Sequence, residues 1–222
     1  MPGGRPGTPR RMDTPERRAR RLLDLAVTTY AAEAGIRIAD KPMPLFQLLV
    51  LCMLASKPID AGIATQAARE LFKAGLRTPK AVLAADRRTM IEAFGRAHYV
   101  RYDESSATRL TDMATRVRDE FSGDLREVAR RADSDTAAAK RIIKGCKGIG
   151  DTGADIFLRE VQDVWTWVRP YFDERATAAA KELQLPTDPA DLAGFAPRSC
   201  ARLAAALVRA SLDDDLRRRV LD

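Results

Sequence analysis

Nearly every segment of this 222-residue chain repeats its apolar residues at helical spacing, and none sustains an apolar/polar alternation rich in β-branched residues. Ala, Arg and Leu dominate, and these residues enter a helix at little cost. The pattern predicts an all-α protein, with helices at about 15–34, 44–55, 61–74, 78–84, 86–94, 104–121, 124–131, 135–144, 152–161, 173–183, 189–193 and 198–212. Asp86, Asp135 and Asp173 stand where N-caps belong, and Gly75, Gly95 and Gly123 where helices stop. A hydrophobic content of 45% is enough for a real core. The strongly apolar run from Leu45 to Ala55 is too short to span a bilayer, which takes roughly 18 residues or more.

The stretch Arg141–Leu158, R-I-I-K-G-C-K-G-I-G-D-T-G-A-D-I-F-L, joins two helical patterns through a tight Gly148-Ile149-Gly150 turn. Glycines let the backbone turn sharply and approach a partner. The N–H groups that open the second helix lack helical acceptors and form a ready anion site. Two readings fit: a hairpin that grips a nucleic-acid phosphate, or a helix corner whose glycines serve packing. Lys140, Arg141, Lys144 and Lys147 crowd this turn, in a chain of formal charge +7 and pI near 9.6. A polyanionic partner suits that balance. The cysteines Cys52, Cys146 and Cys200 lie far apart and His98 is the single histidine, so no thiolate or histidine metal set is visible. The Gly-, Pro- and Arg-rich start, residues 1–12, reads as a disordered basic arm and not as a signal peptide. A cytoplasmic location is expected, nucleoid-associated if the source is bacterial.

Three pieces in order resemble the endonuclease III superfamily of helix-hairpin-helix DNA glycosylases. They are the apolar helix and loop L-F-Q-L-L-V-L-C-M-L-A-S-K-P-I-D ending at Asp60, the hairpin C-K-G-I-G-D-T-G-A from Cys146 to Ala154, and the loop R-P-Y-F-D-E-R with Pro170 and Asp173. The resemblance covers about 44–212. It implies a two-lobed helical fold after the arm, with a hairpin lobe of about 44–154 and a second lobe of 13–43 plus 155–222. It also implies a monomer that binds double-stranded DNA, with no membrane association.

The family's strand-cleaving members carry a lysine just after the hairpin. Here that position is Thr152, which is not expected to be a nucleophile. The family's four-cysteine iron–sulfur site has no counterpart in the last third of the chain, so neither a cluster nor another cofactor is expected. A monovalent cation on the hairpin carbonyls around Cys146 and Gly148 is implied by the resemblance alone. The implied activity is hydrolysis of the bond between a damaged base and its sugar. Asp173 is the carboxylate that stabilises the oxocarbenium-like sugar, and Glu174 the second choice. Asp173 also reads as a plain N-cap, and Asp151 as a cap. Lys144, Lys147, Gly148, Ile149, Gly150 and Thr152 would hold the backbone. Lys57 would enter the duplex, or sit solvated at a helix end. A flipped base needs a pocket, for which His98, Tyr99, Tyr102, Trp165 and its neighbour Trp167 are candidates; core packing is the alternative for the tryptophans. The competing functions are a DNA-binding protein without catalysis and a protein-interaction domain.

Overall fold

The computed structural model describes residues 14–222, so the expected N-terminal arm lies outside the described residues. Among them there is no strand. The helices are α1 (Pro15–Leu25), α2 (Tyr30–Glu33), α3 (Pro42–Ala55), α4 (Ala61–Lys73), α5 (Pro79–Ala84), α6 (Arg87–Arg96), α7 (Asp103–Phe121), α8 (Arg126–Ala132), α9 (Thr136–Lys144), α10 (Asp151–Val161), α11 (Glu174–Glu182), α12 (Pro189–Phe195), α13 (Cys200–Leu212) and α14 (Asp214–Leu221). A 3₁₀ turn covers Thr166–Val168. No described helix is long and apolar enough to cross a membrane.

Helix α3 is the axis of the molecule, and every residue from Pro44 to Leu54 is buried. Such all-round burial explains why the run reads as uniformly apolar instead of amphipathic. On one side α4, α6, α7 and α5 pack in succession, while α8 packs on α9 and α9 on α10. On the other, α1, α11 and α14 gather around α13, with α12 packed on α1. Helix α10 touches α3, α9 and α13, and so joins the two groups. This is an all-α, two-lobed arrangement with the hairpin at the seam.

Local chemistry sets most boundaries. Asp86, Asp135 and Asp173 accept from the backbone N–H groups of Arg88, Ala137 and Ala176 at 3.1, 2.8 and 2.9 Å, so all three are N-caps. Three expectations need correction. The helix expected over 15–34 is broken, because Thr29 turns to accept from Ala32 N–H at 3.1 Å and caps α2 instead of continuing α1. Gly95 does not stop α6; the turn comes at His98, whose φ is +56°. The C-terminal α14, not anticipated, is capped by Asp213 and buries Leu216 and Val220 against α1 and α13.

Candidate nucleic-acid interface

The hairpin is the connection 145–150 between α9 and α10. Gly148 has a φ of +89°, and a Cβ there would stand 2.8 Å from Arg109 Cδ and 3.3 Å from Met53 Cγ. Glycine is required on both counts. Gly150 is different: its φ is −94°, and nothing lies within 4 Å of where its Cβ would be. Only one of the two turn glycines is therefore needed for conformation, while the other faces open space. Cys146 and Ile149 are buried and pin the loop, and Ile149 N–H donates to the Cys146 carbonyl at 3.0 Å. The first helical bond of α10 runs from Ala154 N–H to the Gly150 carbonyl, 3.0 Å, and Gly150 offers no side-chain cap. The first-turn N–H groups of α10 are thus left for an outside acceptor, with the positive end of the helix behind them.

Gly153 is buried, and a Cβ on it would collide with Ser56 Oγ at the end of α3 and lie 3.1 Å from Ile149 Cγ2. This contact seats the hairpin helix on α3. It also brings the half-buried Lys57, next to Ser56, alongside the hairpin. Sequence reasoning gave Gly153 no role, and a glycine required by a helix–helix contact carries no local sign of that requirement.

The basic residues are all engaged. Lys144 pairs with Asp151 at 2.7 Å, Lys147 with Asp112 at 3.2 Å, Arg141 with Asp135 at 3.8 Å, and Lys140 with Asp155. Exposed pairs like the first three contribute little to stability, so a phosphate can replace their carboxylates. Asp151 is not a cap; it is the first residue of α10, and the Lys144 ammonium holds its carboxyl below the usual range. Helix α7 adds what the sequence did not reveal. Arg109, Asp112 and Arg116 repeat at helical spacing along its hairpin face; Arg109 lies against Gly148 and the Arg116 guanidinium against Gly145.

From the hairpin one face of α10 runs inward through Thr152, Asp155 and Arg159, spaced so that they stack along the helix. Thr152 is exposed, Asp155 half-buried and Arg159 buried. Opposite them stands the loop before α11. Buried Gln162 clamps that loop, taking Tyr171 N–H at 2.9 Å and giving to the Tyr171 carbonyl at 2.9 Å. Tyr171 Oη donates to Asp155, which also accepts from Lys140. Burial, then the Asp155 carboxylate, push the Tyr171 hydroxyl far above its ordinary range. Asp173 pairs through Oδ2 with Arg159 and caps α11 through Oδ1. The Asp173 side chain is 8% exposed and that of Arg159 3%. Asp173 therefore ends the α10 face that begins at the hairpin, but in a desolvated ion pair and not as a bare carboxylate. Glu174 is exposed on the first turn of α11.

The base-pocket candidates divide. Tyr99 is fully buried against Phe94, with its hydroxyl 3.1 Å from Ser106 Oγ. Trp165 is 2% exposed, donates to Asp40 Oδ1 at 3.0 Å, and packs between Phe157 and Trp167. Both are core residues and offer no face to a base: Tyr99 leaves the pocket candidates, and Trp165 takes the core-packing alternative. His98 is exposed and Tyr102 half-buried in the α6–α7 loop, beside Val100, which is 62% exposed. The α6–α7 loop begins roughly 9 Å along α7 from Arg109, by the helical rise. The Cys146 carbonyl already accepts Ile149 N–H, and the Arg116 guanidinium sets a fixed positive charge beside Gly145. No chemistry is assigned through a cation at the hairpin. Cys52, Cys146 and Cys200 are free and buried, and burial pushes each thiol up.

No family model matches this chain, and no curated protein matches it in sequence. One solved structure is similar in shape: a trapped endonuclease III–DNA covalent intermediate, an estranged-adenine complex. It is 14% identical, the match covers 88% of this chain and 85% of that one, and the TM-score is 0.47. A likeness at that level assigns no role to any residue.

Proposed function

We propose that this chain binds duplex DNA through the 145–150 hairpin and hydrolyses the bond between a damaged or modified base and its sugar, with Asp173 as the carboxylate beside the sugar. The observation that carries the reading is the α10 face. It starts at uncapped N–H groups flanked by Lys144 and Lys147 and ends at the Arg159–Asp173 pair. A phosphate held at the hairpin would lay the strand along that face. Thr152 has no amine, so water is the nucleophile, and a fixed carboxylate stabilises the positive charge that develops on the sugar.

A second reading, DNA binding without catalysis, has its own support: both Asp173 oxygens already have partners and the side chain is buried. A panel of lesion-bearing duplexes, treated with alkali after incubation, separates the two. Asp173→Asn keeps a cap-forming side chain, so its thermal melt and gel shift are run beside the release assay. Retained binding with release reduced a hundredfold or more supports catalysis by Asp173. Binding by the wild-type chain with no release from any duplex leaves the second reading, and failure to retain duplex at physiological salt sinks both.

A further inference from the structure

At the opposite end of α3 from the hairpin, about 20 Å along the helix from Ser56 by its rise, lies a cavity of about 330 Å³ open on one side. Its walls come from the α2–α3 connection, the first turns of α3 and the last turns of α4. Arg37, Arg69, Lys73 and Arg77 line it, with no carboxylate among the lining residues. Lys73 is paired with Glu70 at 2.7 Å, and Arg77 Nε holds the Phe72 carbonyl at 2.8 Å. Arg37 and Arg69 have no ion-pair or hydrogen-bond partner among the described residues. Two cations are thus committed to the fold and two are not.

Gln47 is the second observation. It is 8% exposed, lines the cavity, and its amide has no partner among the described residues. The Gln47 amide is reached from the cavity, where water or a ligand supplies its partner. The α3 N-terminus adds to the same site. Lys41 gives no side-chain cap, and Pro42 and Pro44 carry no N–H, which leaves the Met43 N–H at the positive end of the helix. The rest of the wall is apolar: Phe72 is buried, and Met43 is an exposed side chain at the rim, 44% exposed.

We propose that this cavity binds a nucleoside phosphate. The phosphate sits on Arg37, Arg69 and the Met43 N–H, the Gln47 amide reads the polar edge of the base, and Phe72 with Met43 covers its ring. The volume stands at the small end of ligand pockets, which run from about 300 Å³, and suits one nucleotide unit. A free mononucleotide and a nucleotide of a bound strand share this chemistry. The proposal does not depend on the excision reading, since the site lies at the other end of α3 from Asp173's partners.

The test uses the whole chain, calorimetric titration with each of the four deoxynucleoside monophosphates and with inorganic phosphate, and gel shifts with duplex DNA. Arg37→Ala/Arg69→Ala and Gln47→Leu are compared with Lys147→Ala, a hairpin change. Expected is monophosphate binding at least tenfold weaker in the double arginine variant, several-fold weaker in Gln47→Leu and unchanged in Lys147→Ala. Loss of duplex affinity in the double variant, without monophosphate binding by the wild type, places a strand nucleotide in the cavity. Inorganic phosphate binding as tightly as every monophosphate would overturn the proposal, and so would variants that change neither ligand.

Discussion

Glu160 is an acid without water around it. It is 2% exposed, and its oxygens accept Ala31 N–H at 2.9 Å and Tyr30 N–H at 3.4 Å, which ties α2 to α10. Burial raises its carboxyl above the ordinary value of 4.5, against the pull of Arg159 and these N–H groups. The folded protein therefore binds the proton more tightly than the unfolded chain. The contribution of this group is fully present below the ordinary value and is lost as pH rises from about 4.5 through the folded value. Glu160→Gln keeps one acceptor and removes the titration. Urea melts of the two proteins at successive pH values above the ordinary 4.5 should show the wild type losing stability relative to the variant as pH rises. Parallel curves would mean that Arg159 and the backbone cancel the burial cost. The neighbouring pair behaves differently: Arg159→Met leaves Asp173 buried without its cation, at a cost of about 3–5 kcal/mol, to be read in the same melts.

At the scale of elements, the hairpin is held by two glycines for two reasons. Gly148 supplies a left-handed turn against Arg109 and Met53, whereas Gly153 admits Ser56 and Ile149 against α10. Alanine at 148 meets both a forbidden φ and a crowded site, so a loss of about 1–3 kcal/mol is expected. Gly150→Ala, where the space is open and φ is negative, should melt near the wild type. Equal melting of the two alanine variants would show that the loop is not set as described. Much of this was legible in the chain: the turn, the aspartate caps and the buried axis of α3 each leave a short-range mark. What stayed hidden depends on distant partners. Arg159 and Asp173 are fourteen positions apart, and nothing local says that they meet. The Tyr99 and Trp165 rings look the same in sequence whether they face a cleft or a core. Helix α14 is a charged run with only Leu216 and Val220 turned inward, too few to signal burial until α1 and α13 are beside it.

For the whole molecule, the net charge of +7 matters less than its placement. Most basic side chains at the interface hold carboxylates that a phosphate would displace, so binding should release salt ions steeply. If Lys144 and Lys147 each neutralise one phosphate, changing both to Ala should lower the slope of log affinity against log salt by about 2, near 0.9 per contact. An unchanged slope would place the DNA on another face. The strongest demand falls on the line from hairpin to Asp173. Thr152 is exposed on the first turn of α10, one turn from Asp155 and two from Arg159. If a sugar lies along this face, an amine at that position would reach C1′ of an abasic deoxyribose, add to the open-chain aldehyde and lose water to give an imine. Borohydride would reduce that imine to a stable protein–DNA bond. Thr152→Lys should therefore yield a trapped adduct on an abasic duplex where the wild type yields none. Arg219→Lys, at an exposed position on α14, which packs on α1 and α13, should yield none either. Should Thr152→Lys bind the abasic duplex as tightly as the wild type and still form no adduct, the sugar does not pass along α10, and Asp173 is left with the architectural role that its pairing with Arg159 already gives it.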